Sequence, residues 1–128
     1  MRYAVLFYAH EQAMMESMGS PGGVDEHVSA FASWSRDVGE RLTGGAPLAP
    51  SPTATTVRVR NGDIITTDGP FAETKEVLAG FQVLEAGDLD EAIEIAARNP
   101  IAGSGAVELR PIAEEIAEAM AKALAASA

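Results

Sequence analysis

The chain has 128 residues, enough for one domain over residues 1–128 with a hydrophobic core that needs no disulfide or structural metal. Its 9 Lys and Arg residues stand against 19 Asp and Glu, and the resulting net charge of −10 disfavours binding to nucleic acid or to an anionic membrane surface. It contains no cysteine, which excludes disulfides, thiolate metal sites and thiol catalysis.

An apolar run at residues 3–8 begins the predicted fold. The run is rich in aromatic and β-branched residues, which predicts a central strand covered on both faces. It is too short for a signal peptide or a membrane span, so we expect a cytoplasmic protein without a membrane partner. Residues 11–23 contain three methionines and end in Gly-Ser-Pro-Gly-Gly, a composition that predicts an irregular loop.

The next segment contains the first long helix and a hairpin. Apolar residues at helical spacing predict an amphipathic helix over residues 24–42. Three prolines in residues 46–54 predict an extended connector. Val57 and Val59 then alternate with Arg58 and Arg60, and Asn61-Gly62 leads into residues 63–67, which is a strong local signal for a two-residue β-hairpin turn.

Two further strands and two helices are predicted after the hairpin. Residues 80–86 form a strand, Asp88 caps the start of a second helix, and Asn99-Pro100 ends that helix. Residues 106–110 form the last strand. A C-terminal helix follows, with apolar residues at helical spacing: Ile112, Ile116, Met120 and Leu124.

The element order predicts an α+β protein with a ferredoxin-like α/β plait. Two strand–helix–strand units are separated by a hairpin, which gives the order βαβ, hairpin, βαβ, with an antiparallel sheet and an extra C-terminal helix. Both main helices then lie on one face of the sheet. Because the other face would be bare and apolar, we expect a homodimer that forms through the sheet face.

The most distinctive local feature is the run from Asp68 to Glu76, DGPFAETKE. It resembles the DGPF motif of the YCII-related proteins, and the resemblance extends to the hairpin at 55–62, the Gly80-Phe81 strand, and residues 88–92 and 107–111. The resemblance implies the fold of the dimeric α/β-barrel superfamily, whose subunits join through their sheets. It also implies small-molecule enzymes in which a His–Asp pair has been proposed as the active site.

His27 is the first candidate catalytic residue. At about 100° per residue, it lies on the same side of its helix as Phe31 and Trp34, which predicts an inward-facing imidazole able to exchange a proton near neutral pH. The alternative is a partly buried histidine that only satisfies a backbone carbonyl. The resemblance implies the functional role, because YCII-related proteins have a histidine early in the first helix. Both interpretations stay open.

Asp68 is the second candidate catalytic residue. Counting from the turn at residues 61–62 puts Asp68 on the hairpin face that includes Ile64, which we expect to be apolar and directed toward the core. A carboxylate there needs a partner. The His–Asp pair that the resemblance implies makes Asp68 the candidate to orient His27. The alternative is turn chemistry, in which the Asp68 side chain accepts backbone N–H bonds and Pro70 starts a short helix.

Two other positions bear on the predicted site. Arg110 ends the last strand and is a candidate clamp for a substrate carboxylate, with simple pairing to a nearby acid as the alternative. In YCII-related proteins an aspartate lies just before the proline that ends the second helix, and here that position is Asn99, which cannot supply a carboxylate. Any acid that assists His27 must therefore come from elsewhere. We expect no metal and no cofactor, because the two histidines are far apart and no phosphate-binding glycine loop follows a strand.

Two functional hypotheses follow. In the first, a cleft between the sheet and the first long helix carries out proton-transfer chemistry, such as isomerisation or elimination, on a small organic molecule, with His27 as base, Asp68 as its orienting group and Arg110 as a clamp. In the second, the chain is a non-catalytic metabolite-binding or regulatory accessory module. The missing carboxylate at Asn99 favours the second hypothesis.

Overall fold

The computed structural model of the chain describes residues 1–127; Ala128, the last residue of the predicted domain, lies outside the described residues. The strands are β1 (Arg2–His10), β2 (Leu42–Pro47), β3 (Thr55–Arg60), β4 (Asp63–Asp68), β5 (Glu76–Glu85) and β6 (Ala106–Pro111). The α-helices are α1 (Glu11–Gly19), α2 (Gly23–Val38), α3 (Leu89–Ala97) and α4 (Glu114–Ala126). Short 3-10 helices lie at Gly39–Arg41, Ser51–Thr53 and Pro100–Gly103.

The main sheet has four strands in the order β2-β5-β1-β6, and every neighbouring pair is antiparallel. Strand β1 is central, as its apolar sequence predicts. The predicted α+β class and antiparallel sheet are confirmed, and the open sheet is consistent with a ferredoxin-like plait. Within residues 1–127, no helix combines the length and the apolar character needed to cross a membrane.

The hydrophobic core lies on one face of this sheet. Tyr3, Val5 and Phe7 of β1 are at most 2% exposed and pack in one cluster with residues of α2 and α3. The Trp34 indole N–H donates to the Ile95 carbonyl at 2.9 Å, which joins the two helices. In the single chain the other face of β1 is left bare, since its alternate residues, Ala4, Leu6 and Tyr8 among them, remain only half-buried. The coverage of both faces requires a second subunit and stays a prediction.

Residues 11–23 are not a loop, contrary to the sequence prediction. They begin with helix α1, whose N-terminus is capped by His10: the Ala13 N–H donates to His10 Nδ1 at 3.3 Å. The helix packs against α2 and β1 but buries none of its own residues. A helix with so weak an apolar face gives little periodic signal in the sequence, which explains the wrong prediction.

The helix predicted over residues 24–42 ends earlier, at Val38, and residues 42–47 form the edge strand β2, which includes the first two residues of the connector predicted over 46–54. The chain leaves the helix at Gly39, where φ is 67°. Gly45 then lies against β5: a Cβ there would meet the Phe81 carbonyl oxygen at 2.2 Å, so only glycine fits. Strand β2 therefore depends on a tertiary contact that its own Gly-rich sequence does not reveal.

The hairpin has the predicted register, in which Asp68 pairs with Thr55 and Ile64 with Val59 around the Asn61-Gly62 turn. It forms its own two-stranded sheet, however, and does not join the main sheet. The predicted core-facing side is wrong: Val57 is 62% exposed and Ile64 is 75% exposed. Because register fixes only which residues share a face, it does not determine what packs against that face.

The segments after the hairpin follow the sequence prediction more closely, with one exception directly after Pro70. The predicted short helix after Pro70 is absent, and residues 71–75 form only bends and irregular backbone. Helix α3 starts as expected, with the Glu91 N–H donating to Asp88 Oδ1 at 2.9 Å. Helix α4 is also confirmed, although Ile112 precedes it.

Candidate functional site

An apolar cleft of about 410 Å³ lies between α1, α2 and the edge of the sheet formed by β2 and β5. Its walls are almost entirely hydrocarbon. The residues that define it best are Met14 and Met18 from α1, His27 and Phe31 from α2, Leu48 after β2, and Ile101 from the short helix that follows α3. A concave, mostly apolar cavity of this size with a few polar groups is typical of a site for a small organic ligand.

The structure places His27 in the wall of this cleft. The side chain is half-buried, four residues past the start of α2, and it lies on the same side of the helix as Phe31, as helical periodicity predicts. Of the described residues that line the cleft, His27 is the only one with a titratable side chain. The imidazole can donate or accept a hydrogen bond, and it is the one acid–base group among the described wall residues.

The remaining polar side chains of the cleft are few. The Ser35 hydroxyl lines the cleft but donates to the Phe31 carbonyl within α2 at 3.0 Å, so its proton is already engaged. Gln82 of β5 contributes an amide. A bound molecule would therefore meet His27 and Gln82 as side-chain hydrogen-bonding groups in an otherwise apolar surround.

Asp68 lies elsewhere. It is exposed at the end of β4 and lines a second, shallow hollow with Glu11, Ser51 and Glu73. His27 does not line this hollow, and among residues 1–127 no hydrogen bond joins His27 to Asp68. The two predicted catalytic residues thus open onto different cavities. The loop after Asp68 is closed by main-chain contacts instead, with the Gly69 N–H donating to the Ala54 carbonyl at 2.7 Å.

Glu11 is the most strongly held acid of this hollow. The Ser51 hydroxyl and the Ser51 N–H donate to its two carboxylate oxygens at 2.6 Å and 2.8 Å. These hydrogen bonds, the hydroxyl first, lower the pKa of the Glu11 carboxyl. Glu11 joins the start of α1 to the short helix at Ser51–Thr53, a link with no signal in the sequence. Across the described part of the chain, no group of three or more His, Cys, Asp or Glu residues is arranged to hold a metal ion.

Arg110 is also outside the cleft. It lies in β6 opposite Ala4, on the sheet face that the helices leave bare, and it forms an ion pair with Glu108. Its side chain is 70% exposed. This geometry matches the alternative of pairing with a nearby acid and brings Arg110 to neither His27 nor Asp68.

Asn99 is the one buried polar residue of the described core, at 2% exposure. Its Oδ1 accepts from the Ile101 N–H at 2.9 Å and so caps the short helix Pro100–Gly103. Its Nδ2 has no hydrogen-bond partner in the described chain. Asn99 therefore supports the segment that brings Ile101 to the cleft, and it is not itself one of the cleft-lining residues.

The cleft-lining residues of α1 and β2 were not identified from the sequence. Met14 and Met18 are spaced four residues apart, so they share one side of a helix, and that spacing is the signal that could have revealed them. The residues contributed by β2 and Leu48 have no such signal, because their position depends on pairing with β5.

Comparison with known proteins gives two matches. The model of the YCII-related domain matches residues 1–116. An uncharacterized protein of Rhizobium meliloti (strain 1021) is 38% identical over 116 residues, which cover 88% of this chain and 93% of that protein. The matched residues 1–116 of the domain model include the hairpin, the DGPF run and the elements that form the cleft.

Proposed function

The chain belongs to the YCII-related family, and from the geometry of its cleft we propose that it binds a small, largely apolar organic molecule between α1, α2 and the β2–β5 edge. One observation carries the proposal: His27 is the single titratable side chain among the described residues that line an apolar cavity of about 410 Å³. Such a cavity favours a hydrocarbon or aromatic body by removing it from water. The ligand has at least one polar atom, which hydrogen-bonds His27.

The catalytic form of this proposal is proton transfer, as in an isomerisation or an elimination. In an isomerisation, His27 takes a proton from one carbon or oxygen atom of the ligand and returns it at a second position. In an elimination, His27 takes a proton from carbon while the bond to the neighbouring leaving group breaks, and it gives the proton to that leaving group. The apolar walls keep water away from the transferred proton. Asp68 and Arg110 open onto other surfaces, so they have no part in this form of the proposal, and Gln82 is the group that holds the ligand's second polar atom.

A second candidate function is ligand binding without chemistry, as in a metabolite-binding or regulatory accessory module. The observation that favours it is the missing acid: among residues 1–127 His27 donates no hydrogen bond to a carboxylate and no carboxylate lines the cleft, and Asn99 stands where the family resemblance implies an aspartate. Without an orienting acid, a histidine is a weaker general base, but it remains a good hydrogen-bonding group.

A metabolite screen by thermal shift, followed by a search for turnover of each hit, separates the two functions. Ala32 lines the cleft and Ser33 is exposed on the same helix, so Ala32→Phe fills the cavity while Ser33→Phe adds the same bulk outside it. We expect Ala32→Phe to abolish the thermal shift and Ser33→Phe to keep it. A hit that still binds Ala32→Phe with unchanged affinity would place the binding site elsewhere.

The role of His27 is tested with His27→Gln, with Glu26→Gln as the matched control on the exposed side of α2. For the catalytic function we expect turnover of a hit to fall by about 10²-fold or more in His27→Gln, as for loss of a general base, while binding weakens less. Binding without turnover by the wild-type protein supports the accessory module. Equal turnover by wild type and His27→Gln removes His27 from the chemistry.

The proposal includes a homodimer that forms through the bare face of the main sheet. This face carries half-buried Ala4, Leu6 and Tyr8 of β1, together with Leu78 and Phe81 of β5, each 39% exposed. Contiguous apolar surface on a sheet favours a second sheet as its cover. A twofold contact between two such faces would leave each cleft open on the helix side of its own sheet.

A further inference from the structure

The cleft follows α2 over more than two turns of the helix. Its wall on this side contains five residues at helical spacing, which are His27, Val28, Phe31, Ala32 and Ser35. At a rise of 1.5 Å per residue, the eight steps from His27 to Ser35 span about 12 Å along the helix axis. The cleft therefore has two ends, one at His27 and one at Ser35.

Helix α2 runs toward the start of β1. Its Trp34 ring lies over Phe7 of β1, with 5.9 Å between the ring centroids. After the helix the chain enters β2 at Leu42, which pairs with Leu84, and Leu84 pairs in turn with Tyr3 near the start of β1. The C-terminal end of the cleft wall thus lies toward the start of β1, and its N-terminal end lies toward the end of β1.

Gln82 lies toward the Ser35 end of the cleft. It pairs with Val5, so it shares the covered face of the sheet. Val5 comes two residues before Phe7, which puts Gln82 about 7 Å from Phe7 in the direction of the start of β1. His27 lies on the other side of Phe7, toward the end of β1. The imidazole and the amide are therefore near opposite ends of the cleft.

The surface between these two ends offers a ligand little besides hydrocarbon. Residues with small or no side chains line it, among them Ala32, Ala79 and Gly80. Within residues 1–127, no hydrogen bond engages the His27 imidazole or the Gln82 amide, so both groups are free to bind a ligand. A polar ligand atom in the middle of the cleft would lose its hydrogen bonds to water, whereas a polar atom at either end would find a partner.

The span of the cleft corresponds to a definite chain length. Three main-chain bonds of an extended chain cover about 3.3–3.6 Å, which is about 1.2 Å per bond. A separation of about 12 Å thus corresponds to about ten bonds between the two polar atoms of a linear ligand. A compact molecule of the same volume would reach one end of the cleft only.

We propose that the ligand of the cleft is an elongated molecule with a hydrocarbon body about ten bonds long and one hydrogen-bonding group at each end. His27 holds one end and Gln82 holds the other. In the catalytic form of the function, the proton is exchanged at the His27 end while Gln82 fixes the far end. This inference rests on the function proposed for the cleft and specifies its ligand class.

Three linear alcohols test the proposal. 1,9-Nonanediol has a hydroxyl at each end of a chain of the matching length, 1-nonanol has only one hydroxyl, and 1,5-pentanediol is too short to reach both ends. Their affinities are measured by NMR titration of the Met14 and Met18 methyl groups, which line the cleft. Ala32→Phe fills the cavity and should abolish all three titrations.

Gln82→Leu should act selectively on the long diol. We expect its affinity for 1,9-nonanediol to fall at least about tenfold, because one hydroxyl loses its partner, and its affinity for the other two alcohols to change by less than about threefold, because each can turn a hydroxyl to His27. His27→Leu should show the same selectivity, since the single hydroxyl then turns to Gln82. Gln12→Leu is the matched control: Gln12 is exposed on α1 outside the cleft wall, so all three affinities should stay unchanged.

The outcomes separate this proposal from the function on which it rests. If the alcohols bind but the two end variants weaken all three equally, or leave 1,9-nonanediol unaffected, the elongated ligand is overturned while binding in the cleft stands. If no alcohol shifts the Met14 and Met18 methyl groups, both proposals fail. Because Gln82 is in the sheet, circular dichroism checks the fold of Gln82→Leu, and His27→Leu on the half-buried side of a helix decides the result if that variant does not fold.

Discussion

Alternate residues of β1 meet two different environments. Val5 and Phe7 are 0% and 1% exposed beneath α2 and α3, while Leu6 and Tyr8, on the other side of the same strand, are only half-buried. The sequence is equally apolar on both sides. Burial within the chain explains why the side with Val5 and Phe7 is apolar, but it does not explain the side with Leu6 and Tyr8. The hydrophobicity of that second side is consistent with a contact to another molecule, as in the proposed dimer.

The two faces also differ in what they contribute to function. The covered face builds the cleft, since Phe7 and Phe31 lie both in the core and in the cleft wall. The bare face carries Arg110 with Glu108 and the Arg2–Glu114 contact at its margin. The covered face thus holds the apolar site, and the bare face has these ion pairs around the apolar residues of β1 and β5. Substitutions on opposite sides of β1 should therefore have different consequences.

The largest effect is expected on the covered face. Phe7 packs edge-on against Phe31 and Trp34, with ring centroids 5.2 Å and 5.9 Å away. We expect Phe7→Ala to lower the free energy of unfolding by about 3–5 kcal/mol, through lost burial and the cavity left behind. Leu6→Ala, one residue away, should cost about half as much or less when the protein is dilute. Chemical denaturation measures both, and equal losses would mean that the two faces are equally covered.

The contrast between faces also separates what sequence patterns can predict from what they cannot. The hairpin register is predictable because it is local: Asn61 and Gly62 both adopt the positive φ angles, 52° and 80°, that a two-residue turn requires. The inward placement of His27 is predictable because a helix fixes the direction of each side chain. Strand β2 and the exposure of Ile64 are not predictable, since both depend on which distant segment lies alongside.

The same dependence on distant segments explains why the sequence predicts only part of the candidate site. The prediction that Asp68 orients His27 requires the apolar face of the hairpin to meet the core, whereas the hairpin forms a separate sheet. The cleft itself is assembled from six elements, which are β1, α1, α2, β2, β5 and the short helix Pro100–Gly103. The weak amphipathic character of α1 hides its contribution in the sequence. Only His27 belonged to both the predicted site and the cleft.

An intermediate effect is expected on the bare face. Leu6→Asp puts a carboxylate in the middle of the proposed subunit contact, where it has no partner. Burying an unpaired charge costs about 3 kcal/mol or more, so we expect the dissociation constant of the dimer to rise by about 100-fold or more. Light scattering across a dilution series measures this change. Ile64→Asp on the exposed hairpin is the control, since it makes the same kind of change at a residue that is 75% exposed. An unchanged mass for Leu6→Asp, or an equal loss in both variants, contradicts a contact through this face.

The smallest effect is expected at the margin of the bare face, where Arg2 holds the start of α4. Its hydrogen bonds to Glu114 lower the pKa of that carboxyl relative to the unfolded chain. The stabilisation is therefore fully present above the unfolded pKa of the glutamate and is lost as the pH falls through the lower pKa of the folded protein. At neutral pH we expect Glu114→Gln to lower Tm by about 2 °C or less, because the pair is exposed and screened by solvent. The difference in Tm from wild type should vanish in acid.

Glu115→Gln is the control. It removes the same charge from the neighbouring residue, which has no ion pair in the described chain, so its difference in Tm from wild type should not vanish in acid for this reason. Differential scanning calorimetry at several pH values measures both variants, and a Glu114→Gln difference that persists in acid would mean that α4 is held by packing rather than by this ion pair.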